Sequence, residues 1–358
     1  MRIAVLGVGL IGGSIGLAAR ARAGAEVRGY DPDPAVAERA LALGAVDRMA
    51  DSVAAAVGDA EAVFVAAPVG ALAATVAEAL AAAGPDCVVT DVGSTKRLLA
   101  GASADERFIG GHPLAGAETE GVEHAREDLF EGATWYLTPV RAGTAGVLYE
   151  RLHALLRRFG ARPSAIDAET HDRLMACVSH LPHVLANVLA AQAARTLDAP
   201  GAERVPAVGP SFRDAIRVAG ANSAIWTDIY IANADALLGA IGDLEGHLRA
   251  VSTMLRNGDA GELTAWNERA RADRDELLGA GMTGESVNEL RVHVPNRPGV
   301  VAEIALALGE AGVNIGDMVL SPSPDNSRGT IALWIGGVEP AARAEALVRE
   351  LGFQVVRA

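Results

Sequence analysis

One histidine stands among three glycines and a proline in the stretch GGHPLAG, residues 110–116. Glycine favours turns and proline cannot donate to a strand ladder, so we expect no helix or long strand through this stretch. Because an imidazole titrates near neutral pH, His112 could accept a hydroxyl proton while hydride leaves the attached carbon. A surface loop histidine is the alternative interpretation.

A glycine-rich stretch near the N-terminus, GVGLIG at residues 7–12, matches the pattern GxGxxG. It follows an apolar strand pattern and opens a helical one, as in sites that bind a pyrophosphate at a helix N-terminus. Asp31 lies 19 positions after Gly12, where a carboxylate accepts a ribose 2′-hydroxyl and repels a 2′-phosphate. The spacing therefore predicts NAD rather than NADP. The predicted cofactor-binding residues are Gly7, Gly9, Leu10, Ile11, Gly12, Asp31 and Pro68.

The stretch DVGSTK, residues 91–96, follows the fourth predicted strand. In a doubly wound sheet the C-terminal ends of the strands face the ligand crevice, so Ser94 could reach the nicotinamide end of a cofactor. Ser94 before TKRLL is equally a good helix N-cap. The spacing alone leaves both interpretations open.

Three histidines, His171, His180 and His183, lie in one long helical pattern. The last two are three positions apart and share a helix face, where they contact substrate or pack between helices. No nearby carboxylate or cysteine has convincing metal-ligand spacing, so no metal site is predicted.

Two arginines, Arg213 and Arg217, are four positions apart in SFRDAIRVAG and are predicted on one helix face. A guanidinium there could hold a carboxylate through two hydrogen bonds. Pairing with Asp214, or simple solvation, is the alternative.

Three successive patterns predict the elements that position these residues. Strands alternate with helices over residues 1–165, which predicts a doubly wound parallel sheet of the Rossmann type. Residues 166–282 are all-α, with a long helix bent at Pro182. Residues 286–358 follow the order βαββαβ of a ferredoxin-like domain. The predicted fold class is therefore α/β with an all-α middle domain.

Composition excludes several classes of protein. Half of the 358 residues are apolar and 21% are charged, as in a folded protein, and the formal charge of −14 argues against nucleic-acid and anionic membrane partners. The two cysteines, Cys87 and Cys177, have no CxxC partner, which predicts unpaired thiols in a reducing cytoplasm. The apolar N-terminal run is too short for a signal peptide, and no membrane span is predicted.

Several motifs together resemble the prephenate/arogenate dehydrogenases of tyrosine biosynthesis. The resemblance covers about residues 1–280, and the tail resembles an ACT domain, a regulatory module that usually senses amino acids. The matching stretches are GVGLIGGS (7–14), DVGSTK (91–96), GGHPLAG-x-E (110–118), ETHD…SHLPH (169–183), RVAGANSAIW (217–226) and, for the tail, VPNRPGVVAEIALALGEAGVNI (294–315).

The resemblance implies a role for each matching residue. His112 is then the catalytic histidine, hydrogen-bonded to the ring hydroxyl of the substrate, and Ser94 orients it. Ala117 departs from the family, because relatives often carry a small hydroxyl residue there, and the neighbouring Glu120 could read an amine. With the arginine pattern included, the predicted substrate-binding residues are Arg217, Arg213, His183, His180, Lys96, Glu118 and Trp226, with His171 also lining the pocket.

The implied reaction is the NAD-dependent oxidative decarboxylation of prephenate to 4-hydroxyphenylpyruvate in the cytoplasm. Tyrosine is the expected effector at the ACT domain, and the apolar helices of residues 168–257 predict a homodimer. Arogenate or 4-amino-4-deoxyprephenate is the alternative substrate. A β-hydroxyacid dehydrogenase is disfavoured because residues 160–280 hold no lysine. A non-catalytic regulator that binds NAD and an amino acid is the alternative from another class.

Overall fold

A computed structural model describes residues 1–99, 104–116, 119–139, 146–197, 208–280, 287–323 and 327–357. Ala117 and Glu118 lie outside the described residues. The chain forms two compact units, Met1–Glu245 and Gly246–Ala358.

An eight-stranded sheet forms the centre of the first unit. The strand order is β3-β2-β1-β4-β5-β6-β7-β8, in which only the β6–β7 pair is antiparallel. The first six strands in this order follow the Rossmann arrangement, as predicted. The strands are β1 (Arg2–Leu6), β2 (Glu26–Tyr30), β3 (Arg48–Met49), β4 (Ala62–Val65), β5 (Val88–Asp91), β6 (Phe108–Pro113), β7 (Thr134–Pro139) and β8 (Arg162–Ala165).

Helices cover both faces of this sheet. Alternate residues of one strand enter opposite cores, since Ile3 and Val5 pack on one side and Ala4 and Leu6 on the other. Burial on both faces explains why these strands are continuous apolar runs. The helices are α1 (Leu10–Ala23), α2 (Pro34–Ala42), α3 (Val53–Val57), α4 (Val69–Ala82) and α5 (Val147–Arg158).

The region after β8 is helical, as predicted, but its breaks lie elsewhere. A π-helical segment, Ala176–His180, separates α6 from α7, and Pro182 stands in the first turn of α7 rather than at a bend. The predicted helix over 223–257 is two helices that meet at Asn233. The helices are α6 (Ala168–Met175), α7 (Leu181–Leu197), α8 (Pro210–Ala215), α9 (Ser223–Ala232), α10 (Ala234–Asn257) and α11 (Ala260–Ala280).

The run Ala168–Thr196 is long and apolar enough to cross a membrane by length and composition alone. A core helix of a soluble protein passes the same test. This run also carries buried polar side chains, among them His171, Asp172 and His180, which hydrogen-bond to other elements of the first unit. We therefore assign it to the fold of that unit.

A four-stranded antiparallel sheet with two helices forms the end of the chain, in the order β10-β11-β9-β12. Burial alternates along β11, whose Ile331, Leu333 and Ile335 pack on the helices, as expected for a sheet covered on one face. The ferredoxin-like prediction is confirmed. The elements are β9 (Val287–Pro295), α12 (Val300–Glu310), β10 (Asp317–Pro322), β11 (Arg328–Gly336), α13 (Val338–Glu350) and β12 (Gln354–Arg357).

The prediction of a loop around His112 is wrong. Strand β6 extends through Gly110 and Gly111 to Pro113, so His112 lies within a strand. A Cβ atom on Gly111 would lie 2.5 Å from the carbonyl oxygen of Asp91 in β5. Glycine is therefore present for close packing against the neighbouring strand, and not for a turn.

Candidate active site

The glycine turn between β1 and α1 is tightly packed and leads directly into the first turn of α1. Gly7 has φ +89°, and a Cβ atom on Gly12 would lie 1.8 Å from the carbonyl oxygen of Gly7. A Cβ atom on Gly9 would meet nothing within 4 Å, and no side chain caps the first turn of α1, which holds Leu10 and Ile11. The space and the uncapped N–H groups fit a pyrophosphate.

Asp31 follows β2 and faces this turn. One of its carboxylate oxygens accepts a hydrogen bond of 2.9 Å from the backbone N–H of Val8, and the other accepts one of 3.0 Å from Asp33. Each oxygen retains a lone pair for a ribose hydroxyl. Pro68 is the N-cap of α4, in the connection that follows β4. These residues fit a dinucleotide.

A buried ion pair supports the strand that carries His112. The ammonium of Lys96 pairs with Asp91 at the end of β5 and donates a hydrogen bond of 2.5 Å to the carbonyl of Gly111. Neither side chain of the pair is exposed to solvent. Burial lowers the pKa of Lys96, and the charge of Asp91 opposes that shift. This position differs from the substrate-binding role that the resemblance implies for Lys96.

Lys96 is the only lysine in the chain, against 30 arginines. A lysine ammonium is a compact charge, whereas an arginine guanidinium is a broad planar fork. The buried site between β5 and β6 admits the smaller group.

His112 is half-buried and meets a histidine that lies 59 positions later. Its Nδ1 atom lies 2.9 Å from Nε2 of His171, which is completely buried in α6. The His171 ring also packs edge-on against Tyr136, the cross-strand neighbour of His112 in β7. Burial lowers the pKa of His112 well below its ordinary value, and the charge of Lys96 lowers it further. His112 is therefore a neutral imidazole at physiological pH.

Asp172 ties α6 to the loop after β5. Its carboxylate accepts hydrogen bonds from the backbone N–H groups of Lys96 (2.8 Å) and Arg97 (2.9 Å) and from Nδ1 of His171 (2.8 Å). Burial alone would raise the pKa of Asp172, but the hydrogen bonds from His171, Arg97 and Lys96 outweigh it and lower the pKa. Asp172 is therefore a buried carboxylate anion.

His180 lies in the π-helical segment and is completely buried. The side-chain amide of Asn233, between α9 and α10, contacts Nδ1 of His180 at 3.1 Å and the carbonyl of Asp172 at 2.7 Å. Among the described residues, Nε2 of His180 has no hydrogen-bond partner. Burial lowers the pKa of His180 to about 4, against the opposing charge of Asp172, so this ring is also neutral.

His183 and Trp226 form a flat stacked pair. Their ring centroids lie 3.6 Å apart with parallel planes, and Nδ1 of His183 contacts the hydroxyl of Tyr230. Burial lowers the pKa of His183 as well, while the backbone carbonyl of Val218 opposes the shift. The role of Trp226 as an apolar wall of the substrate pocket stays a prediction.

The remaining predicted residues that the structure describes are exposed or half-buried. Arg213 is exposed in α8, and because that helix ends at Ala215, Arg217 lies in the following turn rather than on the same helix face. Ser94 is half-buried in the loop after β5, and no hydrogen bond joins it to His112 within the described residues. Glu120 accepts a hydrogen bond of 3.0 Å from Asn222, the N-cap of α9.

Three known domain families match three successive segments of the chain. Residues 15–164 match the model of the prephenate dehydrogenase nucleotide-binding domain, residues 167–268 match the prephenate dehydrogenase dimerization domain, and residues 288–347 match the ACT domain. The chain belongs to the prephenate dehydrogenase family. It is thus an NAD-dependent dehydrogenase with an ACT domain.

Two curated relatives of this family member cover most of its length. The prephenate dehydrogenase of Bacillus subtilis is 33% identical over 354 residues, which covers 96% of this chain and 94% of the relative. The cyclohexadienyl dehydrogenase of Zymomonas mobilis is 32% identical over 262 residues, or 72% of this chain and 89% of the relative.

Two solved structures match the chain at a similar level. The arogenate dehydrogenase of Synechocystis is 30% identical with a TM-score of 0.69, and the match covers 77% of this chain and all of that one. The A. aeolicus prephenate dehydrogenase, in complex with hydroxyphenyl propionate and NAD+, is 28% identical with a TM-score of 0.71. The match covers 77% of this chain and 98% of the A. aeolicus chain.

Proposed function

We propose that this dehydrogenase converts prephenate to 4-hydroxyphenylpyruvate, with NAD+ as the oxidant. The observation that carries the proposal is a neutral histidine, His112, held in a strand of the nucleotide-binding sheet and backed by a buried hydrogen-bonded network. The full-length match to the Bacillus subtilis prephenate dehydrogenase supports prephenate as the substrate.

The residues of the site account for the movement of one proton. Bound NAD+ would supply the redox chemistry, as the acceptor of a hydride from the ring carbon that bears the hydroxyl. His112 Nε2 takes the hydroxyl proton as the carbonyl forms. The ring carboxylate then leaves as CO2, its bonding electrons make the ring aromatic, and His112 returns the proton to the ring oxygen. No net proton is released, and general acid–base catalysis of this kind contributes about 10²–10⁴-fold.

The proposed substrate contacts are the residues that the family resemblance singles out, together with Arg213. Arg217 binds a substrate carboxylate through its guanidinium, and Arg213 adds positive charge nearby. His183 stacked on Trp226 forms the wall against which the ring lies, with His180 beside it. Ser94, in the loop after β5, orients the ring hydroxyl.

An NADH absorbance assay with prephenate and with arogenate tests the proposal. We expect kcat/KM for prephenate to exceed that for arogenate by at least about tenfold, which corresponds to 1.4 kcal/mol of transition-state binding. Arogenate is the second candidate, because the Synechocystis arogenate dehydrogenase matches this chain at 30% identity. A preference for arogenate, or no turnover of either substrate, would contradict the proposal.

Replacing Arg217 by alanine should raise KM for prephenate at least about tenfold and leave KM for NAD+ within about twofold of the wild type. A charge-assisted hydrogen bond to a carboxylate contributes about 1.5–3 kcal/mol. The substitution weakens binding of the substrate and of the transition state equally, so KM rises while kcat is unchanged. Arg195→Ala is the matched control, since Arg195 is an exposed arginine of α7 with no proposed contact to the substrate. Equal effects of Arg217→Ala on both KM values would exclude the carboxylate role.

The ACT domain is proposed to bind L-tyrosine and to inhibit turnover. We expect millimolar L-tyrosine to lower the activity of the full chain, and a chain that ends at residue 285 to keep activity without inhibition. Initial rates with and without L-tyrosine measure this. Full inhibition of the truncated chain would instead place the effector at the active site.

We propose a cytoplasmic homodimer with a nucleotide-binding domain (1–165), a substrate and dimerisation domain (166–282) and a regulatory domain (286–358). The match of residues 167–268 to a dimerization domain supports the dimer. Large apolar side chains are also exposed on α7, α9, α10 and α11, among them Val188, Ile231, Leu238, Leu255 and Trp266. Such exposed apolar surface marks interaction sites.

A further inference from the structure

The buried residues behind His112 determine which of its ring nitrogens carries a proton. We propose that Asp172 and His171 are positioning residues that hold His112 in the tautomer whose Nε2 is unprotonated and accepts the ring-hydroxyl proton. The inference rests on the proposed function, in which His112 is the base. It also gives His171 a different place from the pocket lining that the resemblance implies, because its side chain is completely buried.

The chain of hydrogen bonds starts at a group that can only accept. Asp172 is ionised and accepts from two backbone N–H groups, so Nδ1 of His171, 2.8 Å away, must donate its proton to the carboxylate. In a neutral His171 ring Nε2 is then an acceptor, and Nδ1 of His112, 2.9 Å away, must donate to it. Nε2 of His112 is consequently the atom with a lone pair.

The opposite tautomer needs an additional proton in the same buried cluster. If His112 Nδ1 were the acceptor, both nitrogens of His171 would have to donate, and His171 would be a cation. The cluster already holds the ion pairs Lys96–Asp91 and Arg97–Asp172, so both carboxylates have a cationic partner. Arg97 is partly exposed, so a protonated His171 would be a second completely buried cation beside Lys96 and would have to share the carboxylate of Asp172 with Arg97, which is costly and favours the neutral hydrogen-bond chain.

The same series of hydrogen bonds, from Asp172 through His171 to His112, would also support the reaction once His112 is protonated. An imidazolium at His112 keeps its Nδ1–H bond to His171, and Asp172 lies at the far end of the two bonds with its negative charge. A charge-assisted hydrogen bond is stronger than a neutral one. Positioning through His171 therefore acts on kcat rather than on substrate binding.

Nitrogen NMR of the full-length enzyme labelled with 15N-histidine tests the tautomer directly. His112 is assigned by the signals that disappear in His112→Asn. We expect its Nδ1 to be protonated and its Nε2 to show the shift of an unprotonated ring nitrogen. A proton on Nε2, or an equal mixture of tautomers, overturns the proposal, and this measurement does not depend on the folding of any His171 variant.

Kinetics of two His171 variants test the consequence. His171→Leu removes the acceptor, and we expect kcat to fall about 10–100-fold with both KM values within about twofold. His171→Gln keeps an amide oxygen that can accept from His112, and it should recover at least about fivefold of that loss. His247→Leu, at an exposed histidine outside the site, is the matched control.

The outcomes separate this inference from the proposed function. If His112→Asn is inactive while His171→Leu turns over like the wild type, the positioning role is wrong and the proposed function stands. If His112→Asn itself turns over like the wild type, the proposed function is wrong and the positioning role falls with it.

Discussion

Replacing His112 by asparagine should lower kcat for prephenate by at least about 10², within the 10²–10⁴-fold range of general acid–base catalysis. Asparagine fits the strand and can still hydrogen-bond, but it cannot take a proton at neutral pH. Because His112 lies away from the glycine turn, KM for NAD+ should stay within about twofold of the wild type. Steady-state NADH formation measures both quantities.

The control for this substitution is His124→Asn, at an exposed histidine in the same domain. It should leave kcat unchanged. Turnover of His112→Asn within about threefold of the wild type would exclude His112 as the base.

The pH dependence of kcat gives a second measurement on the wild-type enzyme. Only the neutral ring can accept a proton, and burial with the nearby charge of Lys96 lowers the pKa of His112 well below 6.5. The neutral form therefore persists as the pH falls through 6.5, and the acidic loss of kcat should begin below that value. An acidic limb centred at or above pH 6.5 would contradict the environment described for His112.

Replacing Lys96 by methionine should lower the free energy of unfolding by about 3–5 kcal/mol, because Asp91 would remain as a buried charge without its partner. Lys96→Arg should also destabilise the protein, since the larger guanidinium must enter a completely buried site. The midpoint and slope of urea unfolding, followed by circular dichroism, measure the change.

The matched control is Arg48→Met, which removes an exposed cation from its pair with Glu26. An exposed pair contributes about 0–1 kcal/mol, so little change is expected. A loss below about 1 kcal/mol for Lys96→Met would show that the buried pair does not hold β5 to β6. Lys96 is the single lysine of the chain, and its amine is completely buried in the folded enzyme. Labelling of the Lys96 side chain by an amine reagent therefore reports the opening of the core around it.

The nucleotide-binding half could be predicted because its signals are local. Gly7, Gly12 and Asp31 occur at the spacing of a strand, a tight turn and a second strand, and the apolar runs fix the parallel sheet. The short β3 and α3 and the edge strand β8 were not predicted, because two to five residues carry no period. The sequence predicts a strand near residues 106–110 but not its continuation to Pro113, because the glycines there serve close packing, which depends on the neighbouring strand.

The network behind His112 could not be predicted from spacing alone. His171 and His112 are far apart in the chain, and their contact depends on how α6 packs on the sheet. Asp91, Asp172 and Asn233 carried no role at the sequence level, although the ETHD motif did include Asp172. A buried carboxylate acquires its role only from the partners that folding brings to it.

The π-helical segment Ala176–His180 has a consequence for how this region can change in evolution. A π turn accommodates one residue more than an α turn, and one residue corresponds to a rotation of about 100° around the helix axis. Because the π turn takes up its additional residue locally, removing a single residue here would restore a regular α turn and keep the helix faces that place His171 against His112 and His183 against Trp226. We therefore expect a relative that lacks one residue in this segment to keep His171 and His183 in place and to lose the position of His180, which lies inside the π turn.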